Sequence, residues 1–281
     1  MRQAEIKKAV RDGYAKIVKK AGSCCAPAAS CCGNKNSVET ISRGVGYSLE
    51  ELKSVPEGAN LGLGCGNPVA LASLREGETV IDLGSGAGFD CFLAAHKVGE
   101  SGRVIGVDMT PEMLDKAREN ARKGGYRNVE FRLGEIENLP VADSIADIVI
   151  SNCVINLSPD KKRAFEEAFR VLRPGGRLMV SDIVLLKELP LALKNSIEAY
   201  VGCLAGAVMK DDYIGAITAA GFQDVQIIDE AMFPVKDMVS HPAAKEASVS
   251  SDTLQDVAEQ LTASIASIKV SAVKQKKEGA D

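Results

Sequence analysis

Short runs rich in Val, Ile and Leu recur along this chain, at 79–83, 103–108, 129–133, 146–151 and 177–182, and several are apolar nearly throughout. A strand with one wet face alternates apolar and polar residues, whereas a strand covered on both faces does not. Continuous apolar runs this short therefore predict strands buried between two layers. Between them lie segments with apolar residues at helical spacing. Thr110-Pro111 offers an N-cap followed by proline at the first helical position, and Gly124-Gly125 stops that helix. Ser158-Pro159 is expected to open another, with Phe165, Phe169 and Leu172 on one face, before Pro174-Gly175-Gly176 turns the chain into the next strand. Upstream, residues 5–20 carry Ile6, Val10, Tyr14 and Ile17 on one helical stripe.

Strand and helix in regular alternation imply an α/β, doubly wound, Rossmann-like sheet that is mostly parallel. Past Asp182 the pattern loosens. Residues 189–208 have a small-residue helical pattern. Residues 225–228 and 268–273 are expected to complete the sheet, the last strand antiparallel, with 241–267 a partly helical insertion and 274–281 a frayed tail. The expected divisions are 1–60, an N-terminal helix and Cys-rich segment; 61–188, the cofactor-binding core; and 189–281, a smaller substrate-binding helical region with the closing strands.

Net charge is −4, without the clustered basic residues that nucleic acid or an anionic membrane would require. The charged N-terminus lacks the apolar core of a signal peptide, and no apolar run is long enough to span a bilayer. A cytoplasmic monomer is the expectation. There the eight cysteines would be mostly reduced thiols, available for metal or redox chemistry.

Asp82-Leu83-Gly84-Ser85-Gly86-Ala87-Gly88 joins a strand to a helix. The dinucleotide fingerprint G-x-G-x-x-G is not met, because Phe89 stands where its third glycine would fall. Asp82 would repel a pyrophosphate but welcome an ammonium group. Asp108 ends the next strand, the usual place of a carboxylate that grips ribose hydroxyls. Two carboxylates and no phosphate-binding lysine suit S-adenosylmethionine, with Met109 following Asp108, Gly134-Glu135-Ile136 at the adenine edge and Asn152 after the fourth strand. The plainer alternative is that the glycines only permit a tight turn and Asp108 caps a helix.

Cys65 lies in a glycine-rich turn at 60–68, Cys153 directly after the fourth strand, and Cys203 in Gly202-Cys203-Leu204. Their spacing matches no local zinc pattern. Each taken singly could be a small buried core residue. Taken together, Cys153 belongs at the carboxyl edge of the sheet, where such folds bind ligands, and glycine next to Cys65 and Cys203 lets a ligand approach. Cys91, on the first core helix, fits packing. Cys24-Cys25 and Cys31-Cys32 sit in a small-residue segment at 23–33 expected to be a mobile loop, open to zinc binding, redox work or no role.

With Gly64-Cys65-Gly66, Val107-Asp108-Met109-Thr110, Ser151-Asn152-Cys153-Val154-Ile155-Asn156-Leu157 and Gly202-Cys203-Leu204-Ala205-Gly206-Ala207, the chain resembles the arsenite S-adenosylmethionine methyltransferases, of class I methyltransferase fold. The likeness runs from about residue 24 to 274. It implies that Cys65, Cys153 and Cys203 bind trivalent arsenic, presented as arsenite or an arsenic-thiol conjugate. It also implies that an upstream cysteine is a redox partner, a place that Cys31 and Cys32 fit best. One departure stands out: the family often carries aromatic residues before its first cysteine box, where this chain has Gly62-Leu63.

Trivalent arsenic is soft and prefers thiolates. Three thiolates form a pyramid with an exposed lone pair, which can attack a sulfonium methyl in line. Arsenic loses no proton in that step, so no general base is needed; the only histidines are His96 and His241. Holding the reacting atoms aligned at roughly 3–3.5 Å supplies about 7–11 kcal/mol in good cases. Methylation formally oxidises arsenic. The expectation is that an N-terminal cysteine and Cys65 return electrons by forming a disulfide, reset by thioredoxin or another dithiol reductant. Two other readings compete: a methyltransferase for another small metabolite, which leaves the cysteine boxes unexplained, and a thiol protein that binds metalloids without turnover.

Overall fold

The computed structural model describes residues 3–21, 33–188, 206–232 and 264–276. The expected runs form β1 (Thr79–Leu83), β2 (Arg103–Asp108), β3 (Val129–Leu133), β4 (Ala146–Asn152) and β5 (Leu172–Leu185). They are joined by β6 (Gln223–Met232) and β7 (Ile265–Val273). All seven share one sheet in the order β3-β2-β1-β4-β5-β7-β6. The first five pair in parallel, and β7 runs antiparallel between β5 and β6. This is the doubly wound sheet of class I methyltransferases.

Period-two alternation divides the buried strand residues between two layers. Val80, Val104 and Ile148 meet Phe92 of α5 (Phe89–Val98) and Leu114 of α6 (Pro111–Gly124). Ile81, Ile105 and Val149 belong to the opposite core, with Phe165 of α7 (Lys161–Val171) and Tyr213 of α8 (Lys210–Ala219). Each such side chain contributes about 1.5–3 kcal/mol on burial. The N-terminal part supplies α1 (Gln3–Ala21), α2 (Gly33–Gly44) and α3 (Leu49–Ser54), and a short α4 (Pro68–Leu71) follows the first cysteine turn. No helix among the described residues is long and apolar enough to cross a membrane.

Three local expectations change. Helix α7 is capped by Asp160, whose side chain accepts the Arg163 N–H, while Ser158 donates its hydroxyl to Glu137 at 2.6 Å. Pro174-Gly175-Gly176 does not end one element and start another. It forms a bulge within β5, between the pairs Ala146–Leu172 and Ile148–Arg177, and Gly175 donates its N–H to the Lys274 carbonyl. Lys274 is therefore no frayed tail. Its Nζ also donates to the carbonyls of Phe169 and Leu172 at 2.7 and 2.6 Å, a favourable place for a cation at the end of α7. Only Gly33 of the 23–33 loop is described, and it begins α2. Residues 189–205 and 233–263, with most of the expected helical region and insertion, lie outside the described residues.

One buried carboxylate sets the wall that will matter for the site. Glu167 on α7 accepts the Leu139 N–H at 2.8 Å and pairs with Arg163 and Arg170. It thereby ties α7 to the loop that follows β3. Glu167→Gln keeps the shape and removes the charge, so stability should fall by about 1–3 kcal/mol. Urea unfolding checks this: the midpoint should drop with the slope unchanged.

Candidate active site

In the sheet order, β1 sends the chain to one side and β4 lies on the other, so a crevice opens beyond their carboxyl ends. Leu83 pairs with Ser151, which sets the glycine loop beside the residues that follow β4. Gly84 has φ +68°, and a side chain there would collide with Val154. The close approach of the two loops therefore requires glycine at 84.

The crevice holds a cavity lined by Asp82, Gly84, Ser85, Gly86, Asp108, Met109, Gly134, Ile136, Asn152 and Cys153. Its empty space is about 1090 Å³, counting the solvent at the mouth. Val10 and Tyr14 of α1 also line it, so the N-terminal helix covers one side. Lys7 on α1 pairs with Glu135 at 2.7 Å and Glu137 at 3.3 Å, fastening α1 across the rim. Glu135 itself is not in the lining, because its side chain turns out to Lys7. Among the three residues expected at the adenine edge, Gly134 and Ile136 face the cavity.

Asp108 combines two roles. Its Oδ1 accepts the Thr110 N–H at the start of α6, and its Oδ2 accepts the Gly86 N–H at 2.9 Å, which binds the glycine loop to β2. Asp82 accepts a hydrogen bond from the Cys91 thiol at 3.2 Å. Cys91, expected to pack, is indeed buried, but it also orients this acid. Asp90 accepts from Tyr47 Oη at 2.7 Å and Asn152 Nδ2 at 2.9 Å. Neither Asp90 nor Tyr47 stood out in the sequence. The one available signal was an acid in the first turn after the glycine loop.

The three acids shape the electrostatics. Burial pushes Asp82 well above the ordinary carboxylate range, and the neighbouring Asp90 pushes it further. Burial raises Asp90 to about 6 against the opposing hydrogen bonds from Asn152 and Tyr47. Burial likewise raises Asp108, partly offset by backbone N–H donors. None of the three has an ion-pair partner among the described residues. Walls that crowd buried acids around a cavity favour a cationic guest. A donor with both a sulfonium and an ammonium group fits them, and a pyrophosphate does not.

Cys153 directly follows β4 with φ +60°, a left-handed conformation that is uncommon away from glycine and costs about 1–3 kcal/mol. Its N–H donates to the Ser181 carbonyl at 2.8 Å, and a 3-10 turn, Ile155–Leu157, follows. The twist brings its sulfur to that of Cys65. The two are joined as a disulfide with Cα atoms 5.7 Å apart, although 88 residues separate them. Both are buried. A carboxylate oxygen of Asp182 completes a group whose ligand atoms all lie within 4.8 Å of one another. Asp182 is fixed by Asn156 Nδ2 at 2.8 Å, Tyr213 Oη at 3.1 Å and the Ile183 N–H at 2.9 Å, and burial raises it to about 7. It too was missed, since a lone Asp late in an apolar strand carries no distinguishing pattern. Cys31, Cys32 and Cys203 lie outside the described residues, so among the described residues the sulfur joined to that of Cys65 belongs to Cys153.

Residues 74–221 match the family model described as a methyltransferase domain. An arsenite methyltransferase of Halobacterium salinarum is 50% identical over 230 residues, covering 79% of this chain and 59% of that protein. The arsenite methyltransferase of Homo sapiens is 33% identical over 248 residues, covering 84% and 63%. The crystal structure of CrArsM, an arsenic (III) S-adenosylmethionine methyltransferase from Chlamydomonas reinhardtii, superposes with a TM-score of 0.62 at 32% identity. It covers 91% of this chain and 76% of that one. The chain spans 52–63% of the length of the first three curated relatives it matches. Two cysteine boxes meeting beside an acid-walled cavity, on a sheet of this order and with these relatives, lead to one assignment: the chain belongs to the arsenite S-adenosylmethionine methyltransferase family.

Proposed function

We propose that this protein transfers a methyl group from S-adenosylmethionine to trivalent arsenic held by Cys65, Cys153 and Cys203. One observation carries the reading: two cysteines 88 residues apart have their sulfurs in contact at the edge of the donor cavity. Cys203 is the proposed third ligand, taken from the family likeness. Asp82 is the ammonium partner and Asp108 the ribose partner, with Met109, Gly134 and Ile136 around the adenine. When bound, the donor supplies an electrophilic methyl. The arsenic lone pair forms the As–C bond while the methyl–sulfur bond breaks and its electron pair stays on sulfur. Arsenic is thereby formally oxidised by two electrons.

A further methylation needs those two electrons back. The proposed source is a thiol pair that becomes a disulfide, and thioredoxin or another dithiol reopens it by exchange. Cys31 or Cys32 with Cys65 is the pairing suggested by the family. The Cys65–Cys153 bond adds a second requirement. While it is closed, neither sulfur is free for arsenic, so a dithiol must open it before substrate binds.

Incubation with arsenite, dithiol and methyl-labelled donor should yield methylated arsenic. Cys153→Ser should abolish the product while leaving donor affinity intact, whereas a methyltransferase for another metabolite would keep its activity in that variant. Cys31→Ser with Cys32→Ser should slow the first methylation and spare a trivalent monomethylated substrate; equal loss on both would remove these residues from the redox step. Donor affinity should also depend on pH. Facing Asp90 are Asp82, Glu51, Tyr47 and Asn152, and no cation compensates it among the described residues. A cationic donor binds the ionised form of a group that titrates at about 6. Its dissociation constant should therefore fall as pH rises through about 6, and Asp90→Asn should remove that step while leaving any later fall that the raised Asp82 contributes.

A further inference from the structure

Asn152 is the residue before Cys153, yet its side chain is spent on the other cysteine. Its Oδ1 accepts the Cys65 N–H at 3.0 Å, and its Nδ2 donates to the Gly66 carbonyl at 2.8 Å. One amide thus grips the loop on both sides of the Cys65 carbonyl carbon. The fit is close. A side chain at Gly64 would stand 2.6 Å from Asn152 Nδ2.

An amide can face either way unless something decides, and here two groups do. Asp90 Oδ2 lies 2.9 Å from Nδ2, and Tyr47 Oη lies 2.7 Å from it while donating to Asp90 Oδ1. A carboxylate only accepts, so it demands the NH₂ edge. That leaves Oδ1 turned to the Cys65 N–H. Tyr47 is held in place by the ring of Phe89, 4.7 Å away between centroids. Asp90 belongs to the helix that follows the glycine loop, so one side chain connects the donor loop to the first cysteine loop.

We infer that Asn152, locked by Asp90 and Tyr47, is the positioning residue for Cys65: its amide sets the loop so that the Cys65 sulfur meets the Cys153 sulfur as one dithiol. This rests on the reading of the two cysteines as arsenic ligands. Tyr47 thereby places an aromatic hydroxyl at the cavity wall in a chain whose first cysteine box begins with Leu63 rather than an aromatic residue.

The test is the pairing equilibrium of the two thiols, which needs no arsenic. Wild-type protein, Tyr47→Phe and Asn152→Ala are equilibrated in glutathione redox buffers, quenched by alkylation and digested, and the linked Cys65–Cys153 peptide is quantified by mass spectrometry. The effective concentration of the pair should fall by about tenfold in Asn152→Ala and by a smaller factor in Tyr47→Phe. At alkaline pH, where Asp90 stays ionised with or without the Tyr47 hydroxyl, the donor KM of Tyr47→Phe should stay near the wild-type value while kcat drops. If Asn152→Ala does not fold, Tyr47→Phe carries the test alone. An unchanged pairing equilibrium in the folded variants, or an alkaline kcat/KM loss in Tyr47→Phe carried by the donor KM alone, overturns the assignment. Failure of the wild type to methylate arsenite would instead reject the functional reading and leave this equilibrium intact.

Discussion

The register between β1 and β4 is the constraint on which the site depends. Pairing Leu83 with Ser151 places the next residues of each strand, the glycine loop and the second cysteine box, side by side. Shifting the register by one residue would turn the strand faces over and carry Cys153 away from the crevice. The apolar layers on both sides of the sheet hold that register, since Val80 with Ile148 and Ile81 with Val149 are fully buried in opposite cores. Packing far from the thiols therefore decides where they stand.

Within this frame, polar groups are used where the chain must do something a regular element cannot. Cys153 leaves its strand in a left-handed conformation, with its N–H on the Ser181 carbonyl. Asp108 ties the glycine loop to the start of α6, and Glu167 ties the loop after β3 to α7. Each is a buried or half-buried carboxylate accepting backbone N–H groups, and each fixes one wall of the cavity. The cysteine backbones, by contrast, meet neutral groups: the Asn152 amide, against which Gly64 packs closely, and the Ser181 carbonyl.

Much of this was legible from residue pattern alone. Apolar runs covered on both faces gave the five parallel strands, and the acid-led glycine loop with Asp108 pointed to residues that line the cavity. Cys153 after β4 was legible because the carboxyl edge of a doubly wound sheet is where ligands bind. What escaped was set by tertiary partnership. Tyr47 and Asn152 lie 105 residues apart, and nothing near Tyr47 marks its hydroxyl as more than core. Asp90 looked like an ordinary first-turn acid. Lys274 looked like a tail because its acceptors, the carbonyls of Phe169 and Leu172, are backbone groups that leave no trace in side-chain pattern. The place of β7 between β5 and β6 was equally hidden, since alternation says which face is buried and not which neighbour is chosen.

The cluster of Asp82, Asp90 and Asp108 has a bearing on turnover that goes beyond recognition. For a guest that enters as a sulfonium and leaves as a thioether, the acid walls lose one unit of positive charge to hold at the moment of reaction. Spent donor is then gripped less firmly than fresh donor, and the imbalance favours exchange of one for the other. Under the proposed reaction, release is thus helped by the same groups that secure entry.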